Sequence, residues 1–535
     1  MFSRNLSAFL RYAPFDFSLL TRGLPSIKPF VNAGARKWPG DMKLSDRMSR
    51  PRDYESLQRS RRSALESILR EEATDENVRD AMDLICAICE ESSWAATQQD
   101  KPVEPFDDES FPPIDFSCAE TAVLFGWTAC ILGEHLDAIN PMVMARMLSE
   151  VRKRLFRSTT VHEDYPFMLG ESAYSLTIAI DVAVAAIFLE RDAGRLSRLL
   201  RGLFEKIDAL SSGADGGFYV PLEESVTDVS SIADLVCLIQ RLTNGAVDLS
   251  RTTPDQDRVD EILFSWISED YFVDPAGGGM KPQISGSDVF RVGKIVGDRD
   301  LAALGSQLHR LRKFSPRTVT GRMLESMFTS QLEVNIDKPP RLKYAVLRGN
   351  RLMAVRMNGL YCALHTGGGL KNAGEIGMFM DGSPLIPFMD RASEYRNLPR
   401  FNDQEQLDEP VQPCIADFAS YADRETLSID LTSAYPEECM LASYQRTVIS
   451  MRNDYTLRVV EALRFTSPST AAFSFICAAR PTVLSTAVRI GQIRLTWEGD
   501  LQVSQTDLGD GLTELTFTTP EPVSGNMYTF NFELP

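Results

Sequence analysis

The sequence has few histidines and no excess of positive charge. It contains four histidines among 535 residues, His135, His162, His309 and His365, and none is paired with another at the spacing of metal ligands. The 56 basic side chains are outnumbered by 74 acidic ones, which gives a formal net charge of −18. This balance argues against a protein that binds the phosphate backbone of nucleic acids. A polyanionic ligand would instead need a local basic pocket.

The sequence also lacks a long uninterrupted apolar run. Its most apolar stretch, Leu176–Leu189, is shorter than the about 18 residues that a membrane span needs, and it contains Asp181. The first residues carry charges and lack an apolar segment with a cleavage site, so we expect no signal peptide. Nine cysteines, an odd number in a long chain, do not indicate a secreted disulfide framework. We therefore expect a soluble cytoplasmic protein with no membrane partner.

Motifs of the common cofactor and nucleophile sites are missing as well. The sequence contains no P-loop, no dinucleotide fingerprint and no Gly-x-Ser-x-Gly turn, so we expect no cofactor. Cys86 and Cys89 form a Cys-x-x-Cys pair, but two further zinc ligands at matching spacing are not apparent. Both cysteines fall on an apolar helical face, and we expect both to pack in the core.

The hydrophobic pattern divides the chain near residue 335 and predicts an α+β protein of two domains. Residues 1–50 are rich in proline and predict an irregular N-terminal arm. From residue 51 to 335, buried helices alternate with amphipathic ones, which predicts an (α/α) toroid of helical hairpins. From residue 336 to 535 the apolar period changes to 2, which predicts an antiparallel β-sandwich.

The predicted helices begin near Asp53 and continue with Glu76–Glu91, Asp115–Leu132, Pro141–Phe156, Leu176–Leu189, Arg195–Leu210, Val229–Thr243, Gln256–Ser268, Val289–Val296 and Leu301–Leu311. The predicted strands are Tyr344–Arg348, Leu352–Met357, Leu360–His365, Ile376–Met380, Thr426–Thr432, Met440–Ser450, Tyr455–Phe465, Ala471–Ala478, Arg489–Trp497, Leu512–Thr518 and Met527–Leu534.

Two carboxylates on predicted buried helices need an explanation. Asp181 and Glu120 each stand in an apolar run, where an unpaired ionised carboxylate costs several kcal/mol, roughly. One interpretation is a hydrogen bond or ion pair between helices. The other is that these inner helices line a polar cavity at the axis of the toroid.

The stretch Tyr361–Asp403 is the strongest candidate for half of a ligand site. It places a Gly-rich turn between two strand-like runs, and a polar Tyr395-Arg396-Asn397 follows. His365 adjoins the turn, so it is the one histidine that we consider as a ligand contact.

Several motifs resemble those of the heparinase II/III-like polysaccharide lyases. In the first part these are ESSWAATQQD, which contains Trp94, IDFSCAETAVLFGWTACILGEHLDAINP and VFRVGKIVGDRDLAALG. In the second part they are MFMDGSPLI, EYRNLPRFND and LSIDLTSAYPEECMLASYQRTV. The resemblance extends from about residue 55 to 465 in the family's order. It implies an (α/α) toroid joined to a β-sandwich, with a polysaccharide cleft between them.

The resemblance also implies a chemistry. Such lyases cleave uronic-acid polymers by β-elimination, in which a base removes the proton α to the carboxylate and a Tyr or His protonates the leaving oxygen. An Asn, often with a His, neutralises the uronate. Many members hold a zinc ion in the sandwich through His and Asp ligands.

This sequence departs from the family at the positions that carry that chemistry. Ser172–Ser175, with Tyr174, stands where the family has Asn-Asn-Trp-Asn, and Glu224 falls near the position of the Tyr acid. Lys371–Glu375 replaces a His-Asn-His-Asn-Asp turn, so that Asn372 and a carboxylate remain. Phe388 and Arg396 stand at two zinc-ligand positions. We therefore predict no metal site of the family's kind.

The leading hypothesis is a heparinase II/III-like protein that has lost β-elimination and binds a carbohydrate, for example an acidic oligosaccharide. The residues that we expect to contact it are Trp94, Glu120, Asp181, His365, Lys371, Asn372, Arg396 and Asn397. The alternatives are an inverting glycoside hydrolase that uses Glu224 and Glu375, a lyase that uses Tyr174 or Tyr395, and an interaction protein with a closed cleft. The sequence does not indicate an oligomeric state.

Overall fold

The computed structural model describes Phe17, Leu20 and residues 51–96, 112–161, 165–172, 174–211, 221–247, 249, 256–269, 271–273, 281–332, 345–346, 352–357, 359–366, 372–389, 395–408, 414–453 and 455–533. Most of the predicted arm 1–50, His162 and Lys371 lie outside the described residues. So does most of the Gly-rich turn before Asn372.

The chain forms two compact units that do not follow a single cut in the sequence. The first contains Met1–Gly216, Val226–Asp255 and Ile284–Asp337, and we refer to it as the helical unit. The second contains Gly217–Ser225, Gln256–Gln283 and Lys338–Pro535, and we refer to it as the sheet unit. Two segments of the region 51–335, Gly217–Ser225 and Gln256–Gln283, thus belong to the sheet unit.

The described helices are α1 (Pro51–Ile68), α2 (Asp75–Cys89), α3 (Phe116–Ile139), α4 (Pro141–Val151), α5 (Arg157–Val161), α6 (Pro166–Leu169), α7 (Ser175–Leu189), α8 (Ala193–Ser211), α9 (Leu222–Leu242), α10 (Gln256–Ser265), α11 (Gly286–Val296), α12 (Arg299–Leu311) and α13 (Val319–Leu332). A π-helical turn, Arg152–Phe156, joins α4 to α5. Asp115 caps α3 by accepting from Cys118 N, and Asn140 caps α4 by accepting from Met142 N.

Two pairs of helices, α3–α7 and α11–α12, approach each other closely. In the pair α3–α7, a Cβ added to Gly126 would lie 2.9 Å from the Cβ of Phe188, so glycine is required there. In the pair α11–α12, a Cβ on Gly286 would lie 2.2 Å from the backbone nitrogen of His309. Every residue of α7 is buried, as its sequence predicts. Among the described helices, α3 is long and apolar enough to span a membrane, but 72% of its apolar segment is buried within the structure, as in a core helix.

Some helix bounds differ from the prediction. Helix α9 begins at Leu222, seven residues before the predicted Val229, because polar Glu223, Glu224 and Thr227 precede its apolar pattern. The predicted helix Gln256–Ser268 ends at Ser265 and is followed by a strand. Cys89 is buried but Cys86 is exposed, so the prediction that both pack in the core is wrong for Cys86.

The described strands are β1 (Trp266–Ser268), β2 (Tyr271–Phe272), β3 (Ala345–Val346), β4 (Leu352–Met357), β5 (Leu360–His365), β6 (Ile376–Met380), β7 (Ser383–Ile386), β8 (Arg400–Phe401), β9 (Ile415–Ser420), β10 (Arg424–Asp430), β11 (Leu441–Met451), β12 (Thr456–Ser469), β13 (Ala471–Cys477), β14 (Thr482–Val483), β15 (Val488–Ile490), β16 (Ile493–Glu498), β17 (Gln502–Gly509), β18 (Leu512–Thr518) and β19 (Val523–Glu533). They form an eight-stranded sheet (β14-β15-β16-β19-β12-β11-β10-β9), a four-stranded sheet (β17-β18-β13-β8), a five-stranded sheet (β3-β4-β5-β6-β7) and the hairpin β1-β2.

All described strand pairs are antiparallel, and the sheets share one core. Phe475 of the four-stranded sheet packs edge-on against Phe530 of the eight-stranded sheet, with ring centroids 5.2 Å apart. This arrangement confirms the predicted helical part followed by antiparallel sheets.

A smaller apolar cluster joins the hairpin β1-β2 to the five-stranded sheet. Ile267 and Val273 pack there with Tyr361 and Phe379. The Tyr361 hydroxyl donates to Phe264 O over 2.8 Å, and Arg356 donates to the carbonyl oxygens at the end of α10. The segment Gln256–Gln283 is therefore an integral part of the sheet unit.

Candidate functional site

Hydrogen bonds from side chains and from the backbone hold the turn 372–375 of the sheet unit. Gln406 bonds both the nitrogen and the oxygen of Ala373, over 3.0 and 2.8 Å. Gly374 N donates to His365 O over 2.7 Å, which extends the antiparallel pairing of β5 and β6 past the first residue of β6. Gly374 has φ +78°, and an added Cβ would lie 2.5 Å from Leu431, so the turn depends on glycine at this position.

A buried ion pair fixes the same turn to the eight-stranded sheet. Arg446 and Glu461, on neighbouring strands β11 and β12, are both fully buried and 2.7 Å apart. The Nη1 atom of Arg446 donates to Gly374 O (2.6 Å) and to Asn397 O (3.0 Å). The Tyr444 hydroxyl donates to the second oxygen of Glu461 over 2.8 Å.

Glu375 lies inside this network. It is 1% exposed, and its Oε1 atom accepts from the backbone nitrogens of Met389 (3.4 Å) and Asn397 (3.5 Å). Burial raises the pKa of Glu375 to about 7, and the charge of Arg396 and the two N–H groups offset part of that effect. This placement favours a positioning role for Glu375 over direct contact with a ligand.

Asn397 and Arg396 also bond to the fold. Asn397 is fully buried; its amide donates to Pro387 O (2.7 Å) and accepts from Ile476 N (2.6 Å). Arg396 donates to Met389 O over 3.0 Å. Tyr395, by contrast, is 41% exposed and lines with Arg396 a cavity of about 40 Å³. That volume holds a few water molecules and no sugar ring.

The residues that we predicted to stand in place of the family's zinc ligands are packing side chains in this structure. The Phe388 ring stands edge-on against His365, with centroids 4.6 Å apart, and Ala373 is fully buried. His365 itself is 1% exposed, and Asn372 is 4% exposed. Within the described residues, no group of three His, Cys, Asp or Glu side chains is arranged to hold a metal ion.

In the helical unit, Glu120 and Asp181 contact each other. Both oxygens of Glu120 accept from Val319 N, over 3.0 and 2.8 Å, and Arg322 lies 3.6 Å away. Burial raises the pKa of Glu120 to about 7, and burial together with the nearby Glu120 charge raises the pKa of Asp181 well above its usual range. A protonated Asp181 that donates to ionised Glu120 satisfies this geometry.

A second buried network lies in the helical unit. Arg291 of α11 is 1% exposed and binds Asp234 of α9 through two hydrogen bonds of 2.7 and 2.9 Å. It also donates to Asp288 over 2.6 Å and to Ser287 over 2.8 Å. The charge of Asp234 contributes to the raised pKa of Asp181, so the two networks influence each other electrostatically.

Two aromatic candidates in the helical unit have different surroundings. Trp94 is 1% exposed and donates to Ile88 O over 2.9 Å, which places it in the core. Tyr174 stands before α7 with φ 60°, a left-handed conformation that is rare for a bulky residue. Its hydroxyl accepts from Arg317, whose guanidinium lies 5.1 Å from the ring centroid.

Glu224 lies in the first turn of α9, in the part of the chain that belongs to the sheet unit. Burial raises its pKa. A general acid also has a raised pKa, and a catalytic role for Glu224 stays a prediction.

Sequence reasoning missed the arginines that hold these groups. Arg446, Arg317 and Arg322 contact the predicted site residues Asn397, Tyr174 and Glu120, respectively. Arg291 holds the second buried network of the helical unit. A usable pattern existed for Arg446, because it alternates with Tyr444 and Val448 on the buried face of β11 and therefore requires a buried partner. The signal for Arg291 was weaker, because α11 also contains Asp288 and Lys294.

Together the helical and sheet units define a class of protein: the (α/α) toroid with an antiparallel β-sandwich, the fold of the heparinase-like polysaccharide lyases. One solved structure, described as a heparinase III gene product, matches 90% of this chain and 79% of its own, with a TM-score of 0.56 and 9% sequence identity. A second heparinase III structure matches 97% of this chain and 84% of its own, with a TM-score of 0.54 and 11% identity. No family model and no curated protein sequence matches the chain. The likeness is therefore one of fold, and it confirms the predicted architecture.

Proposed function

We propose that this protein binds a uronic-acid polysaccharide or oligosaccharide and lacks zinc-supported β-elimination. The cleft that the resemblance implies and a cytoplasmic location are part of this proposal. The fold likeness to two heparinase III structures supports a polysaccharide as ligand.

The single observation that carries the loss of zinc chemistry is the packing of Phe388 against His365. The Phe388 ring lies 4.6 Å from the imidazole centroid, and the resemblance aligns Phe388 with a metal ligand of the family. A hydrophobic ring supplies no electron pair to a cation, and Gly377 leaves the space that this ring fills, since an added Cβ would lie 2.4 Å from it.

The experiment is to incubate the purified protein with a panel of uronic-acid polysaccharides and to measure two quantities. We expect binding of at least one acidic glycan on a glycan array, and no gain in ultraviolet absorbance from unsaturated ends. Accumulation of unsaturated ends would overturn the loss of β-elimination. Failure to retain any acidic glycan would overturn the binding proposal.

A second candidate is an active hydrolase, favoured by the raised pKa of Glu224. An inverting glycosidase requires two carboxyl groups about 6.5–9.5 Å apart, one of them protonated. The hydrolase would be established if the protein produces new reducing ends without unsaturated ends. This activity should be lost in the Glu224→Gln variant and retained in the Tyr174→Phe variant. Unsaturated ends that disappear in Tyr174→Phe would instead indicate a lyase that uses Tyr174, where Arg317 would hold a substrate carboxylate.

A further inference from the structure

The helical unit carries a pocket of four arginines on a protein whose net charge is −18. The cavity measures about 380 Å³ and is lined by Arg152, Phe156, Arg157, Thr160, Glu190, Arg195, Arg198 and Leu199. This volume lies within the range of about 300–1,000 Å³ that is typical of small-molecule sites. None of these residues belongs to the candidate site described above.

The π-helical turn places two of the arginines on one face. The backbone nitrogen of Arg157 bonds the carbonyl oxygen of Arg152, five residues earlier. In a continuous α-helix, residues five apart point about 140° away from each other. The wider π turn reduces the angle between the directions of the Arg152 and Arg157 side chains. Such turns are often found at functional sites.

Glu190 orients two of the guanidinium groups. It is 5% exposed and binds Arg195 through two hydrogen bonds of 3.1 Å, and Arg152 lies 3.5 Å away. Asp192 N also donates to it over 2.9 Å. Arg152 and Arg195 are thereby held in place, with part of their donor capacity still directed outward.

The other two arginines, Arg157 and Arg198, make fewer interactions within the protein. Within the described part of the chain, the Arg157 side chain makes no hydrogen bond or ion pair. Arg198 interacts electrostatically with Asp192, which is fully exposed. The lining of the pocket thus contains four positively charged side chains and one carboxylate. Phe156 and Leu199 form the apolar part of the lining.

We propose that this pocket binds a small molecule that carries a phosphate or sulfate ester. Arg157 and Arg198 contact the oxyanion, because the planar guanidinium matches its oxygens in a bidentate manner. Phe156 and Leu199 contact the apolar face of the ligand. The proposal is independent of the polysaccharide function and goes beyond it.

The test is isothermal titration calorimetry of the full chain in a buffer free of phosphate and sulfate. The probes are inorganic phosphate, glucose 6-phosphate, glucose 6-sulfate and neutral glucose. We expect saturable heat from at least one anion and none from glucose, and the two glucose esters separate a phosphate preference from a sulfate preference. If none of the three anions binds, the proposal is overturned.

Two variants with matched controls assign the binding to this pocket. Arg157→Ala with Arg198→Ala is expected to weaken binding at least about tenfold, since each charge-assisted hydrogen bond is worth about 1.5–3 kcal/mol. The control is Arg79→Ala with Arg299→Ala, which removes the same charge from exposed positions in the same unit and should leave affinity unchanged. Equal losses in both pairs would overturn the proposal.

The Glu190→Gln variant is expected to change the affinity for the anion in the opposite direction. It removes the lining negative charge and releases Arg152 and Arg195, so we expect several-fold tighter binding of the same anion. Circular dichroism establishes that each variant is folded before titration. Weaker binding in a folded Glu190→Gln protein would contradict the assignment.

Discussion

The carboxyl groups of Glu120 and Asp181 share a hydrogen bond inside the helical unit. Asp181 is 1% exposed and the Glu120 side chain 11% exposed, and the donor that joins the two carboxyl groups is a proton that the unfolded chain would release near pH 4. The pair therefore links the stability of the helical unit to pH.

We predict that the free energy of unfolding falls as pH rises from about 4.5 to 7. The pKa of Glu120 is about 7 in the folded chain against 4.5 for an unperturbed glutamate, so the folded state binds more protons in this window. Stability is then lost as pH rises, by up to about 3 kcal/mol from this group. Glu375 and Asp288, whose pKa values are also raised to about 7, act in the same direction.

Thermal unfolding between pH 5 and 8 measures this effect, and Asp181→Asn is the informative variant. This variant removes the acidic group next to Glu120 but keeps a hydrogen-bond donor for it. The midpoint of thermal unfolding of the variant should therefore depend less on pH than that of the wild type. A midpoint that rises through this window in the wild type would contradict the prediction.

Removal of Arg291 should destabilise the protein strongly. Arg291→Ala leaves the buried carboxylates of Asp234 and Asp288 without their shared partner, which costs about 3–5 kcal/mol. Chemical denaturation measures the loss. Adding Asp234→Asn to Arg291→Ala should recover part of it, and Arg299→Ala, which is exposed, serves as the control. A loss below about 1 kcal/mol would contradict the role assigned to the network.

Arg446→Ala should loosen the turn 372–375 as well as lower stability. Its guanidinium is the donor for Gly374 O and Asn397 O, so hydrogen exchange of the backbone amides around these residues should accelerate. Arg494→Ala breaks an exposed ion pair with Glu533 in the same unit and should leave exchange at the turn unchanged. Unchanged exchange in Arg446→Ala would show that the hydrogen bonds of Gln406 and His365 are sufficient to hold the turn.

Chelation should not affect stability. Phe388 and Arg396, which the resemblance aligns with two zinc ligands, supply no ligand to a metal, so the thermal midpoint should be the same with EDTA as with added zinc. Elemental analysis of the purified protein should find less than one zinc per chain. A midpoint that falls with EDTA and is restored by zinc would reveal a metal site of another kind.

Periodicity predicted the buried elements well because burial creates the pattern. Strands β4, β5, β6 and β18 have the bounds that the sequence predicted. Strands β9 and β17 were missed because most of their residues are exposed and their alternation is weak.

The candidate site was harder to predict because its contacts join distant residues. The sequence marked Asp181 and Glu120 as buried carboxylates that need partners, but nothing in it specified that they would bond each other across 61 positions. Likewise, Arg291 and Asp234 stand 57 residues apart. Such pairs depend on which helices become neighbours, and local propensity does not contain that information.

The segment Gln256–Gln283 has a consequence for how the chain is made. This segment leaves the ribosome before strands β4 to β6, which pack on it in the folded chain. The side chains of Ile267 and Val273 are therefore exposed to solvent during synthesis. A fragment cut near residue 335 would carry the same bare patch permanently and would tend to aggregate. Co-expression with the remaining residues as a separate polypeptide would supply the missing strands and restore solubility.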